Sequence, residues 1–169
     1  MAALDILIRH STPEDLERML QIYDHARRFM RETGNPNQWI LYPERELLEA
    51  DIRCGNSYVV CTGDEICGTF VYRIGEDESY KVIEQGQWLN DETYGTIHRI
   101  ASDGTQRGIL KAVVEFAKQS CPNIRIDTHE QNCVMRSALE KLGFVYCGII
   151  YCMDDLSPHS PRLAFQFKA

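Results

Sequence analysis

Apolar positions along this chain change period several times, and each change marks an element. Ile6 and Ile8 alternate with polar neighbours over residues 5–10, the period-two pattern of a half-buried strand. Leu16, Met19, Leu20, Tyr23, Ala26 and Met30 then recur at helical spacing. Ser11 or Thr12 can cap that helix, Pro13 suits its first turn, and Glu14 and Asp15 suit the positive end of its dipole. Gly34 and Pro36 end it, and a second helix is predicted over 43–53. Residues 58–62 and 65–74 read as a hairpin closed by Gly63-Asp64, a two-residue turn that accepts positive φ. Residues 75–79 form an acidic loop, and 80–83 are expected to extend the sheet.

The last third repeats a β-α order. Residues 96–102 predict a strand, 108–118 a helix with Leu110, Val113, Val114 and Ala117 on one face, and 123–128 a strand of alternating Ile. A further helix, opened by Gln131 or Asn132, runs to Leu142, with Gly143 placed to end it. A long strand over 144–153, a loop over 157–161 and a closing strand over 163–167 complete the chain. Antiparallel strands followed by β-α-β-α-β define an α+β class.

Composition narrows the function classes. The 169 residues, 44% hydrophobic and 25% charged, suit one globular domain with its own core. A net charge of -7 argues against a general grip on nucleic acid, which needs a basic field. It leaves room for a phosphate ligand, for which a local nest of N–H groups and a few cations suffice. The seven cysteines include no C-x-x-C pair, and their number is odd. They are expected to be reduced thiols of a cytoplasmic protein rather than a disulfide framework. No secretory leader is expected, and no apolar run approaches the roughly 20 residues of a membrane span.

Two motifs in the last third carry chemistry. Gly104 to Gly108 open the third helix, whose first N–H groups are unpaired and whose dipole favours negative charge. Gln106, Arg107, Gly108 and Ile109 can offer backbone N–H groups there, and Arg107 and Lys111 add charge. Read by itself, the same turn is also an ordinary strand-to-helix connection. The second motif is N-x-x-M-x-x-x-L-x-K-L-G-F from Asn132 to Phe144, in which Asn132 is either a ligand or a plain helix cap.

Together these motifs resemble the acetyl-CoA-binding half of the GCN5-related N-acetyltransferases, the GNAT family. Gly108 matches the first glycine of that family's phosphate turn. Thr105 stands where Gln or Arg is usual, and Leu110 where a second small residue is usual. Leu139 replaces the Tyr that in many members protonates the leaving thiolate. The resemblance implies a single domain over 1–169, with a mixed, mostly antiparallel central sheet flanked by helices and the cofactor half near 96–153. It implies acetyl-CoA as co-substrate, no metal, a small-molecule or peptide amine as acceptor, and direct attack of the amine in a ternary complex. The cofactor-binding set would be Ile100, Ser102, Gln106, Arg107, Gly108, Ile109, Leu110, Lys111 and Asn132, with an N–H near Ile100 facing the thioester oxygen. A homodimer through the closing strands is compatible with the family; the sequence does not show one.

The resemblance leaves the proton-transfer groups and the acceptor wall to this chain's own residues. His98, expected on one strand face with Ile100 and Ser102, is a candidate base or a sheet histidine bonded to a neighbour. His129 lies just past a strand and is a second candidate or a loop residue; Tyr151 and Glu84 are weaker ones. Asp127 is a candidate loop anchor. Trp39, Tyr42 and Trp88 sit in loops and are expected to wall the acceptor site or to lie as an aromatic lid over the core. The departures at Thr105, Leu110 and Leu139 keep open a non-catalytic, acyl-CoA-binding GNAT domain.

Overall fold

The structure is a computed structural model and describes residues 5–152 and 160–168. Strands β1 (Ile6–His10), β2 (Ser57–Thr62), β3 (Glu65–Ile74), β4 (Gly95–Ser102), β5 (Ile124–Thr128), β6 (Val145–Cys152) and β7 (Ser160–Phe167) form one seven-stranded sheet. Its order is β1-β2-β3-β4-β5-β7-β6, and every neighbouring pair is antiparallel except β4 with β5. Helices α1 (Leu16–Glu32), α2 (Arg45–Arg53), α3 (Ile109–Ser120) and α4 (Cys133–Lys141) flank it. This is the expected mixed, mostly antiparallel α+β architecture.

The two faces are packed separately. Val113, Val114 and Ala117 of α3 and Leu139 of α4 bury against Phe70, Ile97, Ile124 and Ile126. Ile22, Tyr23 and Ala26 of α1 and Leu48 of α2 bury with Trp39 and Ala101 on the other face. Ile97 and Ala101 are four residues apart on β4, so a regular strand would put them on one face. They face opposite ways because of a bulge. Val71 pairs with His98 and Thr69 with Ala101, leaving Arg99 and Ile100 together opposite Phe70, and Arg99 has φ +50°. His98 therefore shares a face with Ala101, while Ile100 packs toward the α3 side. The expected common face for His98, Ile100 and Ser102 is corrected by this extra residue.

The parallel pair is short. Only Gly95 with Ile124 and Thr96 with Arg125 are in register, after which β4 and β5 diverge. Beyond Thr96 the β5-facing edge of β4 has no strand to pair with.

Other differences are local. Residues 80–83 do not extend the sheet: a 3₁₀ turn spans Glu78–Tyr80, and past it only Glu84 forms an isolated bridge, with Ile149. The Asp77 side chain accepts from Ser79 N–H at 3.0 Å and starts that turn, and Tyr80 is buried instead of continuing a ladder. Ser160 and Pro161, expected in a loop, already belong to β7; Met153 and residues 157–159 lie outside the described residues. No helix among the described residues is long and apolar enough to cross a membrane.

Candidate active site

Two cavities occupy the opening between β4 and β5. The first, about 360 Å³, is polar and lies on the α1 and α2 side, reaching Asp77, His98, Asp127 and Arg162. The second, about 280 Å³, is mainly apolar and runs between Ala26 and Phe29 of α1, Ser102 of β4, Leu110 of α3 and Ala138 of α4. Met30, Ile100, Asn132 and Met135 border both, so the two spaces meet at the β4 bulge.

His98 is oriented by a carboxylate. Its Nε2 lies 2.7 Å from Asp77 Oδ2. Asp77 Oδ1 accepts from the Ser79 hydroxyl at 2.5 Å, and the Asp77 N–H donates to the Tyr94 hydroxyl at 2.8 Å. Burial works to raise the Asp77 pKa, but the hydrogen bond and charge of His98, with the two Ser79 bonds, outweigh it. The carboxyl is held well below the usual carboxylate range.

Tyr80 packs beside this pair, its ring centroid 5.8 Å from that of His98. Its hydroxyl donates to Asp127 Oδ2 at 2.6 Å. Burial first, and the nearby Asp127 next, push the phenol well above its ordinary range, so it stays a donor. The bulge residue Arg99 makes a two-pronged pair with Asp51 of α2, Nε at 3.0 Å and Nη2 at 2.7 Å, and donates to the Tyr42 hydroxyl at 2.7 Å. The Tyr23 hydroxyl donates to the Arg99 carbonyl at 2.6 Å, tying the bulge to α1.

The loop between α1 and α2 is pinned to the same place. Gln38 is buried, and its Oε1 accepts from Asn35 Nδ2 at 2.9 Å and Asn132 Nδ2 at 3.2 Å. Trp39 follows with φ +57°, edge-on to Tyr23 at 5.7 Å.

The structure brings some of the expected residues together and separates others. His98, Ile100, Asn132, Trp39 and Tyr42 line the polar cavity, and Ser102 and Leu110 line the apolar one. Gly108 has φ +80° and caps α3; it and its neighbours Gln106, Arg107 and Lys111 line neither cavity, and Ile109 is turned into the core. Asn132 caps α4, accepting from Met135 N–H at 3.1 Å, as its cap reading expects.

Three further expected residues also lie outside both cavities. Trp88 is packed behind Tyr80, donates to the Tyr80 carbonyl at 2.9 Å and stacks on Arg125 at 4.2 Å. His129 Nδ1 accepts from Gln131 N–H at 3.1 Å within the β5–α4 turn, and neither cavity reaches it. Tyr151 donates to Glu84 Oε2 at 3.0 Å on the strand face opposite its neighbour Cys152, which does line the cavity. Leu139 is wholly buried in the α3-side core. Asp77, Asp51, Arg99 and Tyr80 were not expected at the site. Asp77 lies in an acidic loop that gave no periodic signal, and Arg99 is aimed by the bulge. Among the described residues no group of three or more His, Cys, Asp or Glu side chains is arranged to hold a metal ion.

A sheet that splays at a bulged fourth strand, with an apolar channel meeting a polar cavity there, is the frame of an acyltransferase of the GNAT type. The model of the GNAT acetyltransferase domain matches residues 5–145, and the chain belongs to the GNAT family. A GNAT-family acetyltransferase structure from Streptococcus agalactiae 2603 is 30% identical and superposes with TM-score 0.86 over 97% of this chain and 95% of that one. The fold is also that of the ribosomal-protein-S18-alanine N-acetyltransferase from Escherichia coli, at 11% identity, TM-score 0.62 and coverage of 96% and 93%. Arabidopsis thaliana Naa50, solved in complex with the bisubstrate analogue CoA-Ac-MVNAL, superposes with TM-score 0.62 at 14% identity over 97% of this chain and 99% of that one. No curated protein matches the chain in sequence.

Proposed function

We propose that the protein is an acetyl-CoA-dependent N-acetyltransferase acting on a primary amine in a ternary complex. The observation that carries this is the junction of the two cavities at Ile100, beside a β4 edge that has no strand partner beyond Thr96. The apolar channel suits a pantetheine arm, and the unpaired backbone of β4 supplies the hydrogen bonds an extended arm needs. The channel is lined by Gly104 and Leu110, on either side of the turn at Gly108, and the N–H groups that open α3 suit phosphate. Acetyl-CoA supplies an activated acyl group with a thiolate leaving group. In this reading the Ile100 N–H polarises the acyl oxygen.

His98 takes a proton from the bound amine at Nδ1, directly or through one water, while its Nε2–H donates to Asp77, which holds the ring and offsets the imidazolium charge. The N–C bond forms as the C–S bond breaks, and the amine proton passes to His98. Leu139 offers no acid, but a thiol pKa of about 8.5 lets thiolate leave without one near neutrality. The cysteines are thiols rather than disulfides, which supports a reducing, cytoplasmic setting.

Thiol release from acetyl-CoA with a panel of primary amines tests the reaction. His98→Ala is expected to lower kcat by about 10²–10⁴ and to remove the acid limb of the pH profile, with acetyl-CoA affinity retained. Unchanged turnover and profile would reject His98 as the base. The buried Leu139, at the position of the family's acid, favours one second reading, a binding domain without turnover. Tight acetyl-CoA binding with no thiol release across the panel supports that reading.

A further inference from the structure

The polar cavity is lined by three carboxylates, and two of them are matched. Asp51 meets Arg99 through two hydrogen bonds, and Asp77 meets His98 at 2.7 Å with Arg73 a further 3.9 Å away. Asp127 is different. Its partner is the neutral Tyr80 hydroxyl on Oδ2, and among the described residues no cationic side chain lies within ion-pair distance of it. An ionised carboxylate has about four acceptor sites on two oxygens, so a single hydroxyl leaves most of its capacity directed elsewhere.

Its placement is built, not incidental. β5 pairs Asp127 with Ala164 of β7, on the face that carries His98, and Ile124 and Ile126 fill the opposite face. Tyr80 is 1% exposed and spans the two groups, with its ring beside His98 and its hydroxyl on Asp127. Asp127 is half-buried on that wall, so the acceptor sites that Tyr80 leaves unused open to the cavity. The basic residues of the same wall are engaged with other groups: Arg99 with Asp51, Arg73 with the Glu76 carbonyl, Arg162 with the Ser160 hydroxyl at 2.5 Å.

We infer that Asp127 is the specificity-determining anchor for a second, protonated nitrogen on the acceptor. The acceptor class is a diamine-like molecule. One nitrogen loses its proton to His98 and is acetylated; the other keeps its charge on Asp127, one tyrosine ring and hydroxyl away. This rests on the acetyltransferase reading of the same site. It adds what that reading leaves open, the chemistry of the acceptor.

The test compares diaminobutane with aminobutanol, which replaces the second ammonium by a hydroxyl. Binding to the CoA-saturated protein is read by calorimetry and needs no turnover. A charge-assisted hydrogen bond predicts a preference for the diamine of roughly 10- to 100-fold. Asp127→Asn, which keeps an acceptor for Tyr80, is expected to cut that preference to less than about threefold, and Asp127→Glu to restore part of it. Equal affinities in the wild type, no diamine binding, or a preference that survives Asp127→Asn would overturn the assignment. If Asp127→Asn does not fold, a wild-type structure with diaminobutane decides: a nitrogen at Asp127 supports the assignment, and one bound elsewhere overturns it. Failure of the acetyltransferase reading shows separately, as absent thiol release.

Discussion

Two side chains far apart in sequence decide what the polar cavity can do. His98 sits on a strand, and Asp77 lies 2.7 Å from it in a loop that an Asx turn onto Ser79 holds in place. The depressed Asp77 pKa links this contact to stability. A carboxylate with a lower pKa folded than unfolded stabilises the protein above the unfolded value of about 3.9, and loses that contribution as pH falls toward the folded value. Asp77→Asn is therefore expected to cost about 2 kcal/mol at neutral pH, with the gap to wild type narrowing as pH drops below about 4. Urea unfolding of both proteins across pH checks this; a gap that widens in acid would contradict it. His98 was legible as a candidate because polar residues in apolar strands are conspicuous. Asp77 was not, since a loop carboxylate has no period. Trp88, expected to wall the acceptor site or to lie as a lid over the core, is packed on Tyr80 at 5.2 Å and on Arg125 and lines neither cavity.

At the scale of elements, the periods of two and 3.6 located α1 to α4 and the strands well, because amphipathic burial is what forms them. The β4 bulge escaped, since alternation presumes an unbroken ladder and one extra residue reverses every face after it. Arg99 adopts φ +50° there without being a glycine, held by Tyr23, Asp51 and Tyr42, and nothing local in the residue types signals that. The departure at Leu139 also becomes clear only in α4. The side chain is fully buried in the α3-side core rather than facing the channel. Restoring the family residue with Leu139→Tyr is thus expected to overpack the core by about 1–3 kcal/mol and to lower Tm without raising kcat. A thermal melt alongside the thiol-release rate checks it, and faster turnover at unchanged Tm would contradict it.

For the whole molecule, one event organises function: β4 and β5 pair at Gly95 and Thr96 and then part. At the gap an apolar channel lined by Leu110 of α3 meets a polar cavity lined by Asp77 and Ser79 of the β3–β4 connection. Of the two family motifs, Asn132 lines both cavities and Gly108 caps α3. The polar cavity was legible at His98, Trp39 and Tyr42 but not at its other walls, which the β3–β4 connection, β5 and β7 bring together only by folding. The central claim is that the channel admits the pantetheine arm of acetyl-CoA. Isothermal titration of acetyl-CoA into the wild type, His98→Ala and Ala138→Trp tests it most directly, since Ala138 lines the channel and His98 lines only the polar cavity. The expected result is saturable binding by the wild type, the same affinity in His98→Ala, and at least about tenfold weaker binding in Ala138→Trp, a loss of about 1.4 kcal/mol or more. No binding by the wild type, or equal binding by a folded Ala138→Trp, would contradict the account.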